Sequence, residues 1–400
     1  MTATPSLSLA QAAARTWDVL VVGAGPAGAL AALGLARAGR SVLVVERASF
    51  PRDKACGGCL NAAAVAELRV AGLAPRLDER GARPLAAICL HAGGRTARLP
   101  LRHSLALSRA SLDAALLDAA REAGAAVLLE TRASGDAAGS RGEASAASAA
   151  RVDARSLRLS RAGEGEARVA ARVVLVAAGL GAALLDGPAS RPARSSRLGA
   201  GAVLEGAGTA LPAGELHMLC DAGGYVGLTA AEHGRLVVAA ALDAATVVQA
   251  GGLGPAAAAI VARAGLPAIA GLADARWLGT PPLTRRAATL AARRAFVLGD
   301  AAGFVEPFTG EGLAWALTAA RAVQPFALAA VERWDEALAA GWRAEWSAVV
   351  ARRQRLCRGL AAVLRRPLAV RAAVAALALR PQLVAPILQR LDAVAGAGAP

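Results

Sequence analysis

The sequence is poor in residue types that mark several protein classes. Its 400 residues include one lysine, Lys54, and one tyrosine, Tyr225, and aromatic residues make up only 3% of the chain. The formal net charge of +15 could suggest a nucleic-acid partner. Grooves that bind nucleic acid combine basic side chains with aromatic rings on which bases stack, and the sequence has no such stretch. We therefore expect no nucleic-acid partner.

Cysteines and long apolar runs are scarce as well. The five cysteines are scattered and odd in number, which argues against a disulfide framework and favours the cytoplasm. Residues 1–16 have neither the basic start nor the continuous apolar centre of a signal peptide. No uncharged apolar run is long enough to span a bilayer, so we predict no transmembrane helix. The sequence thus indicates a cytoplasmic protein, with peripheral attachment to a membrane as an open alternative.

The most informative stretch lies near the N-terminus. The apolar run Val19–Val22 is typical of a strand that is buried on both faces of a parallel sheet. Gly23, Gly25 and Gly28 follow in the spacing Gly-x-Gly-x-x-Gly and lead into a helix, a pattern that binds the pyrophosphate of a dinucleotide. Glu46 ends the next strand, about 20 residues later, where a carboxylate can accept ribose hydroxyls. Together these features predict a dinucleotide-binding βαβ unit.

A second motif follows a later strand. Residues 294–298 predict a buried strand with Asp300 just beyond its C-terminal end, which is where ligands bind in open α/β sheets. Gly310 and Gly312 then begin a helix, whose first N–H groups would face an anionic group nearby. Two helix N-termini beside one extended dinucleotide would form a cofactor cradle.

The order of the motifs resembles that of a known family. The segments Gly-x-Gly-x-x-Gly, Glu-Arg, Lys-x-Cys-Gly-Gly, Ser-Arg-x-x-x-Asp and Gly-Asp-Ala-Ala-Gly-x-x-x-Pro-x-Thr-Gly-Glu-Gly look like those of the geranylgeranyl reductase family. That family belongs to the FAD-dependent oxidoreductases with the p-hydroxybenzoate hydroxylase fold, and the resemblance covers residues 17–325. It implies an α/β fold, with a Rossmann-like FAD-binding domain, an inserted antiparallel β-sheet substrate domain and C-terminal helices.

The domain boundaries are predicted from the same resemblance and from the strand and helix patterns. The predicted parts are a discontinuous FAD-binding domain (17–80, 108–195 and 276–325), a substrate domain (81–107 and 196–275) and a C-terminal helical region (326–400). Residues 352–390 contain nine arginines and no acidic residue. An apolar stripe with arginines around it predicts either a packed bundle or a peripheral contact with a membrane surface.

The resemblance also implies the cofactor contacts. Fifteen residues would bind FAD: Gly23, Gly25, Pro26, Ala27, Gly28, Glu46, Arg47, Cys56, Gly57, Arg109, Gly299, Asp300, Pro307, Gly310 and Gly312. NAD(P)H is the expected electron donor, with a carrier protein as the alternative. One departure from the family pattern is the sequence Ala177-Ala178-Gly179, which lacks the aspartate of an Asp-Gly pair that usually helps to bind both FAD and NAD(P)H. The way in which this chain would bind a nicotinamide is therefore left open.

Cys56 and Glu306 are the candidate catalytic residues. Cys56 could donate a proton beside the flavin, or only shape the pocket, and its spacing to Cys59 also fits a redox dithiol. Glu306 could act as an acid or base if burial raised its pKa, or it could be a solvated loop residue. No metal site is predicted, because His91 and His103 are isolated and no second Cys/His pair has a suitable spacing.

The expected function is that of an FAD-dependent oxidoreductase with a small apolar substrate, such as an isoprenoid, a lipid-like molecule or an aromatic polyketide. Reduction of a double bond is favoured, since Gly303 occupies the position where phenolic hydroxylases more often have a histidine. An NAD(P)H-dependent flavin monooxygenase is the alternative, and a non-catalytic FAD-binding or membrane-surface protein is the alternative from another class. Halogenation is disfavoured because the tryptophans do not form the segment Trp-x-Trp-x-Ile-Pro.

Overall fold

The computed structural model describes residues 7–135, 153–180, 184–185, 190–306, 308 and 310–384. Pro307 and residues 385–400 of the predicted C-terminal region lie outside the described residues.

The strands and helices are numbered here in chain order. The strands are β1 (Trp17–Val22), β2 (Val42–Val45), β3 (Cys59–Leu60), β4 (Arg83–Ala92), β5 (Arg95–Ala106), β6 (Ala126–Leu128), β7 (Thr131–Gly135), β8 (Arg155–Arg161), β9 (Gly165–Val176), β10 (Arg191–Pro192), β11 (Leu198–Leu204), β12 (Glu215–Asp221), β13 (Gly224–Ala230), β14 (Leu236–Leu242), β15 (Leu278–Pro282), β16 (Arg285–Arg286), β17 (Ala291–Ala292), β18 (Ala295–Val297) and β19 (Gly303–Phe304). The α-helices are α1 (Leu9–Ala13), α2 (Pro26–Arg37), α3 (Ala62–Val70), α4 (Ala74–Glu79), α5 (Arg109–Glu122), α6 (Ala244–Ala250), α7 (Leu253–Arg263), α8 (Glu311–Ala322), α9 (Gln324–Glu332), α10 (Glu336–Trp346), α11 (Arg352–Val363) and α12 (Pro367–Leu379).

The first sheet contains the predicted βαβ unit. Its strand order is β17-β18-β9-β1-β2-β6, and neighbours from β18 to β6 pair in parallel. Helix α2 packs against α5 and α8, while α1 and α9 pack against β9. Val19–Val22 is buried as a result, as expected for a parallel sheet that is covered on both faces. The predicted α/β fold class is confirmed.

The second sheet is mixed, not fully antiparallel as predicted. Its order is β15-β11-β14-β13-β12-β4-β5-β3, and the pair β12–β4 is parallel. Short connections join the consecutive strands β4 to β5, β12 to β13 and β13 to β14, whereas β4 and β12 come from separate chain segments whose relative direction no short turn fixes. Strands β3 and β15 extend this sheet beyond the ranges proposed for the substrate domain. We call the β12–β4 pairing the parallel seam.

The C-terminal helices pack on both parts of the fold. Trp342 in α10 is fully buried and donates its indole N–H to the carbonyl of Val297 in β18 at 3.1 Å. Val370 and Val374 of α12 are buried against β4 and β5. Pro367 separates α11 from α12, as its restricted backbone predicts.

One continuous helical run, Glu311–Glu332, is long and apolar enough to cross a bilayer by length and composition alone. It comprises α8 and α9, and 61% of its apolar window is buried inside the structure. The bent pair α6 and α7 passes the same test only when both helices are counted as one span.

Candidate active site

A large cleft joins the ends of the first sheet to one face of the second. Its empty space is about 1450 Å³ when the open solvent at the mouth is included. It is lined by thirteen of the fifteen predicted cofactor residues, namely Gly23, Gly25, Pro26, Ala27, Glu46, Arg47, Cys56, Gly57, Arg109, Gly299, Asp300, Gly310 and Gly312. Gly28 lies beneath the cleft wall, and Pro307 is outside the described residues. The sequence motifs therefore meet in one place.

Two glycines of the first motif are required by close backbone contacts. Gly23 has a φ of +104°, and a Cβ there would lie 2.3 Å from the carbonyl oxygen of Ala177. A Cβ on Gly28 would lie 1.8 Å from the carbonyl oxygen of Gly23 and 3.1 Å from Val21 Cγ1. Since real Cβ atoms do not approach backbone oxygens so closely, a larger residue at position 28 would push α2 away from β1, and one at position 23 would push the turn after β1 away from the end of β9.

Gly25 differs from these two, because its missing side chain leaves room in the cleft. It is the N-cap of α2, and its φ of −70° is accessible to any residue. A Cβ there would lie 3.9 Å from Nη2 of both Arg52 and Arg109 and would meet no closer atom. The N-terminus of α2 and two guanidinium groups thus surround one space, which suits an anion.

The surrounding side chains make this end of the cleft basic. Arg109 donates to Asp113 through Nε at 2.7 Å and Nη2 at 2.9 Å. Although burial lowers the pKa of Arg109, the ion pair with Asp113 raises it more, so the pKa lies above its ordinary value. Burial lowers the pKa of Lys54, and repulsion from Arg52 and Arg109 adds to this effect. A bound anion would relieve that repulsion.

Arg52 is the clearest indication that this end of the cleft suits an anionic group. Its Nη1 lies 3.4 Å from Asp113 Oδ2 and its Nη2 lies 3.5 Å from Glu46 Oε2. Its buried Nε and Nη1 atoms form no hydrogen bond with any described residue. Buried guanidinium donors are normally satisfied, and the phosphates of a dinucleotide would satisfy these.

Two acidic residues complete the polar end. Glu46 is 7% exposed and accepts the N–H groups of Ala24 and Ala48, each at 3.0 Å. Each carboxylate oxygen can accept a second hydrogen bond, so Glu46 can also bind ribose hydroxyls. Burial raises the pKa of Asp300, while Arg109 and Lys54 act in the opposite direction. The residues at this end fit FAD: the α2 N-terminus and Arg52 would hold the pyrophosphate, and Glu46 the ribose.

The other end of the cleft is apolar. It is lined by large side chains from the second sheet and the loop before α8: Leu216, Met218, Tyr225, Leu283, Phe304 and Phe308. Small residues at Gly199, Gly227 and Ala239 keep this part open. The Tyr225 hydroxyl is buried and has no hydrogen-bond partner among the described residues. We call this part of the cleft the apolar chamber.

Cys56 lies between the two ends, in the wall of the cleft. The absence of a side chain at Gly201 in β11 allows the preceding loop to approach, since a Cβ there would lie 2.6 Å from Ala55 Cα. Cys59 also lines the cleft, and both cysteines are free. Burial raises the pKa of Cys59 to about 12, with a contribution from Cys56. A reactive dithiol needs an accessible thiolate, so this placement favours the pocket interpretation of the pair.

Glu306, the second candidate catalytic residue, does not line the cleft. It is buried and accepts from Arg197 at 3.0 Å and from Arg365 at 3.2 Å. Burial raises the pKa of Glu306, although both arginines oppose this shift. Asp243 lies 3.4 Å from each of the same two arginines. We call these four residues the charge cluster. The alternative that Glu306 is a solvated loop residue is wrong, because its side chain is buried, and a role as acid or base stays a prediction.

Sequence reasoning missed Arg52, and it left Tyr225 without a predicted face. One sequence feature could have indicated a role for Arg52 in cofactor binding, namely its position in the loop that follows the predicted ribose-binding residue Glu46. The orientation of Tyr225 depends on the strand register of β13, which no local pattern reports.

Comparison with known families decides the cofactor. Residues 16–174 match the family described as FAD binding domain. This range contains the glycine motif, Glu46 and Arg109. This chain is an FAD-binding flavoprotein. The predictions of FAD as cofactor and of an FAD-dependent enzyme are confirmed, and the NAD(P)H donor stays a prediction.

Solved flavoprotein structures share the fold over nearly the whole chain. The flavin-dependent brominase Bmp2 superposes with a TM-score of 0.74 at 16% identity, covering 94% of both chains. PqsL from Pseudomonas aeruginosa, solved in complex with 2-aminobenzoylacetate, gives a TM-score of 0.67 at 22% identity and covers 89% of this chain and 98% of its own. A flavoprotein/dehydrogenase from Cytophaga hutchinsonii gives 0.70 at 17% identity, with 94% and 98% covered. At these identities the likeness concerns the fold alone.

Curated relatives match over short segments only. The menaquinone reductase of Mycolicibacterium smegmatis is 64% identical over 63 residues, which is 16% of this chain and 15% of that protein. The menaquinone reductase of Mycobacterium tuberculosis (strain ATCC 25618 / H37Rv) is 57% identical over 70 residues, 16% of this chain and 17% of that protein. The chain thus aligns with about a sixth of the length of these relatives. Membership in the geranylgeranyl reductase family stays a prediction.

Proposed function

We propose that this FAD-dependent oxidoreductase reduces a carbon–carbon double bond in an apolar, lipid-like substrate, with NAD(P)H as the electron donor. The observation that carries the proposal is the apolar chamber, which opens directly onto the basic, FAD-compatible end of the same cleft. A substrate in the chamber would be surrounded by Leu216, Met218, Leu283, Phe304 and Phe308, and would leave water on entry.

The chemistry of the chamber wall favours reduction over hydroxylation. Among the described residues that line the chamber and its junction with the basic end, the acidic protons available are those of the Cys56 and Cys59 thiols and the Tyr225 phenol. None of them is a histidine or a carboxylate, the groups that most often serve as general bases near neutral pH. Activation of a phenol for oxygenation would call for such a base, whereas reduction of a double bond calls for a proton donor.

The bound FAD would supply hydride transfer. The protein would hold the cofactor through the α2 N-terminus, Arg52 and Glu46, and would exclude water from the chamber. Cys56 would hold a proton on Sγ and donate it to the substrate carbon opposite the hydride. The Tyr225 hydroxyl, which has no partner among the described residues, would orient a polar headgroup of the substrate.

The local identity to two proteins named menaquinone reductase supports a lipid-soluble quinone or isoprenoid as the substrate class. The monooxygenase and halogenase neighbours share the fold, which hosts several flavin reactions and does not distinguish them.

The test separates the two half-reactions of the enzyme. Cys56→Ala should keep FAD and its reduction by NAD(P)H, and should slow oxidation of the flavin by substrate by roughly tenfold or more, as expected for loss of a general acid. Cys220→Ala, a cysteine substitution on β12 outside the cleft lining, is the matched control and should leave both half-reactions unchanged.

Oxygen consumption decides between reductase and monooxygenase. Turnover should proceed under anaerobic conditions, with a product two hydrogens heavier than the substrate. Uptake of one O₂ per product, with an added oxygen atom in that product, would overturn the proposal in favour of hydroxylation.

A further inference from the structure

A cluster of metal-ligating side chains lies on the parallel seam, on residues that do not line the cleft. The segment Cys89-Leu-His91 of β4 lies beside Glu215-Leu-His217 of β12, with Cys89 opposite His217 and Leu219 opposite His91. Residues two apart on a strand share a face, so these four side chains lie on one face of the sheet.

Three of these side chains have the spacing of ligands around one ion. Cys89 Sγ lies 3.4 Å from Glu215 Oε2, and Glu215 Oε2 lies 3.4 Å from His217 Nε2. One ligand atom from each of the three residues lies within 4.8 Å of the others. Tetrahedral zinc, with bonds of about 2.0–2.3 Å, separates its ligand atoms by about 3.4–3.7 Å. The two spacings to Glu215 Oε2 already match a zinc site, and the third, between Cys89 and His217, is at most 4.8 Å and would shorten on binding.

One ligand atom of this cluster, His217 Nε2, lacks a hydrogen-bond partner among the described residues and lies beside the Glu215 carboxylate. His217 is 7% exposed, and its Nε2 forms no hydrogen bond with any described residue, although it is 3.4 Å from the Glu215 carboxylate. The other ring nitrogen, Nδ1, lies 3.0 Å from His91 Nε2. A ring whose Nδ1–H is donated to a neighbour presents its Nε2 lone pair, the form that binds a metal.

Outer contacts fix the orientation of the proposed ligands. His91 Nδ1 lies 3.0 Å from Thr96 Oγ1, which holds the His91 ring beside His217. Arg98 donates from Nε to Glu215 Oε1 at 2.8 Å, so that Oε2 is left for the cluster. Metal sites rely on such supporting hydrogen bonds.

We propose that Cys89, Glu215 and His217 bind one Zn²⁺ ion, with water as the fourth ligand. Thiolate, imidazole and carboxylate ligands together suit zinc better than magnesium or calcium, which prefer oxygen alone. On binding, the Cys89 thiol loses its proton to solvent and the sulfur bonds the ion. The ion joins β4 to β12 at the one parallel pairing of the described second sheet, and its role is structural.

The experiment measures metal in the full-length flavoprotein. After incubation with Zn²⁺ and removal of unbound metal, the wild type should retain about one zinc per chain. Cys89→Ser and His217→Gln should each lower this content at least tenfold while FAD content, which reports folding, is unchanged. Cys220→Ser and His103→Asn are the matched controls and should retain zinc; Asn suits the left-handed backbone of His103, whose φ is 53°.

Cobalt substitution tests the ligand set without any mutation. Co²⁺ in the wild type should give intense d–d bands of a tetrahedral site at wavelengths longer than those of the flavin. The thiolate-to-cobalt charge-transfer band lies in the near ultraviolet and should appear in the difference spectrum against the metal-free flavoprotein. Removing the metal with a chelator should lower the thermal unfolding midpoint, and Zn²⁺ but not Mg²⁺ should restore it. The proposal is overturned by wild-type protein that retains less than about a tenth of a zinc per chain, by equal zinc content in the Cys89 and His217 variants, or by a cobalt spectrum without a thiolate band.

Discussion

Replacing Gly25 with alanine should separate cofactor binding from stability. Gly25 has an ordinary φ of −70°, and its added Cβ would meet no protein atom closer than 3.9 Å. Within the protein, the new methyl group therefore occupies free space. In the complex, that space lies between the α2 N-terminus and the guanidinium groups of Arg52 and Arg109, where the pyrophosphate is expected.

The expected changes in stability and in FAD affinity can be estimated separately, for the protein without FAD and for the complex. Alanine is a poorer N-cap than glycine by about 1 kcal/mol, and the reduced freedom of the unfolded chain returns about 0.4–1 kcal/mol. The free energy of unfolding without FAD should thus change by less than about 1 kcal/mol. If the methyl group weakens one charge-assisted hydrogen bond to a phosphate, affinity should fall by about 1.5–3 kcal/mol, or roughly 10- to 150-fold in Kd.

The assay is titration of FAD-free protein with FAD, followed by the quenching of flavin fluorescence, together with thermal unfolding of the FAD-free protein. Gly359→Ala is the control, because Gly359 lies in α11 with nothing within 4 Å of its added Cβ. It should raise stability slightly and leave Kd unchanged. An unchanged Kd for Gly25→Ala would refute the placement of the pyrophosphate, and a large loss of stability would refute the reading of Gly25 as unstrained.

Three further predictions use other parts of the structure. Gly28→Ala should weaken FAD binding and lower the free energy of unfolding by about 3 kcal/mol, because its Cβ would lie 1.8 Å from a backbone oxygen; retention of full stability in thermal unfolding would contradict the close packing. Burial raises the pKa of the Cys59 thiol to about 12, so the unfolded chain loses this proton at a lower pH than the native protein does. The free energy of unfolding should therefore fall as pH rises from about 9 to 12. A Cys59→Ala variant with the same pH dependence would contradict this prediction. Leu368 is 78% exposed on the arginine-flanked α12, and we expect it to contact anionic lipid. Leu368→Glu should therefore weaken salt-sensitive binding to anionic vesicles. Val248→Glu is the control, because Val248 is 79% exposed on α6, and it should leave this binding unchanged. Equal binding by both variants in vesicle sedimentation would favour a solvated helix.

The cofactor end of the cleft could be predicted because its signals are local. The turn from β1 into α2 is encoded within a few residues, and Gly28 is needed because a Cβ there would meet the carbonyl oxygen of Gly23, five residues earlier. Glu46 could be predicted for the same reason, since its distance along the chain from the glycines is set by the length of one βαβ unit. Thirteen of the predicted contacts line the cleft.

The remaining features depend on pairings that are distant in sequence. Cys89 and His217 are brought together by the parallel seam, and neither strand shows in its own pattern which partner it will meet. Glu306 was predicted either as an acid or base in the loop beside the flavin or as a solvated loop residue, and its side chain is buried. Its burial depends on Arg197, just before β11, and on Arg365, between α11 and α12. Both residues are distant from Glu306 in the sequence, so the periodicity around Glu306 cannot predict these contacts.

The charge cluster connects the C-terminal helices to the loop that lies between Glu306 and Gly310 in the sequence. Arg365 lies between α11 and α12, while Glu306 begins the segment that leads to Gly310 in the cleft wall. Glu306 and Arg197 are almost fully buried, and losing one partner of a buried pair costs about 3–5 kcal/mol. Moving the helices away from the body of the protein would break the contacts of Arg365 with Glu306 and Asp243, and the contact of Arg197 with the Leu364 carbonyl. A ligand that moves these helices and thereby displaces Glu306 would change FAD affinity, and FAD would change the affinity of that ligand by the same factor.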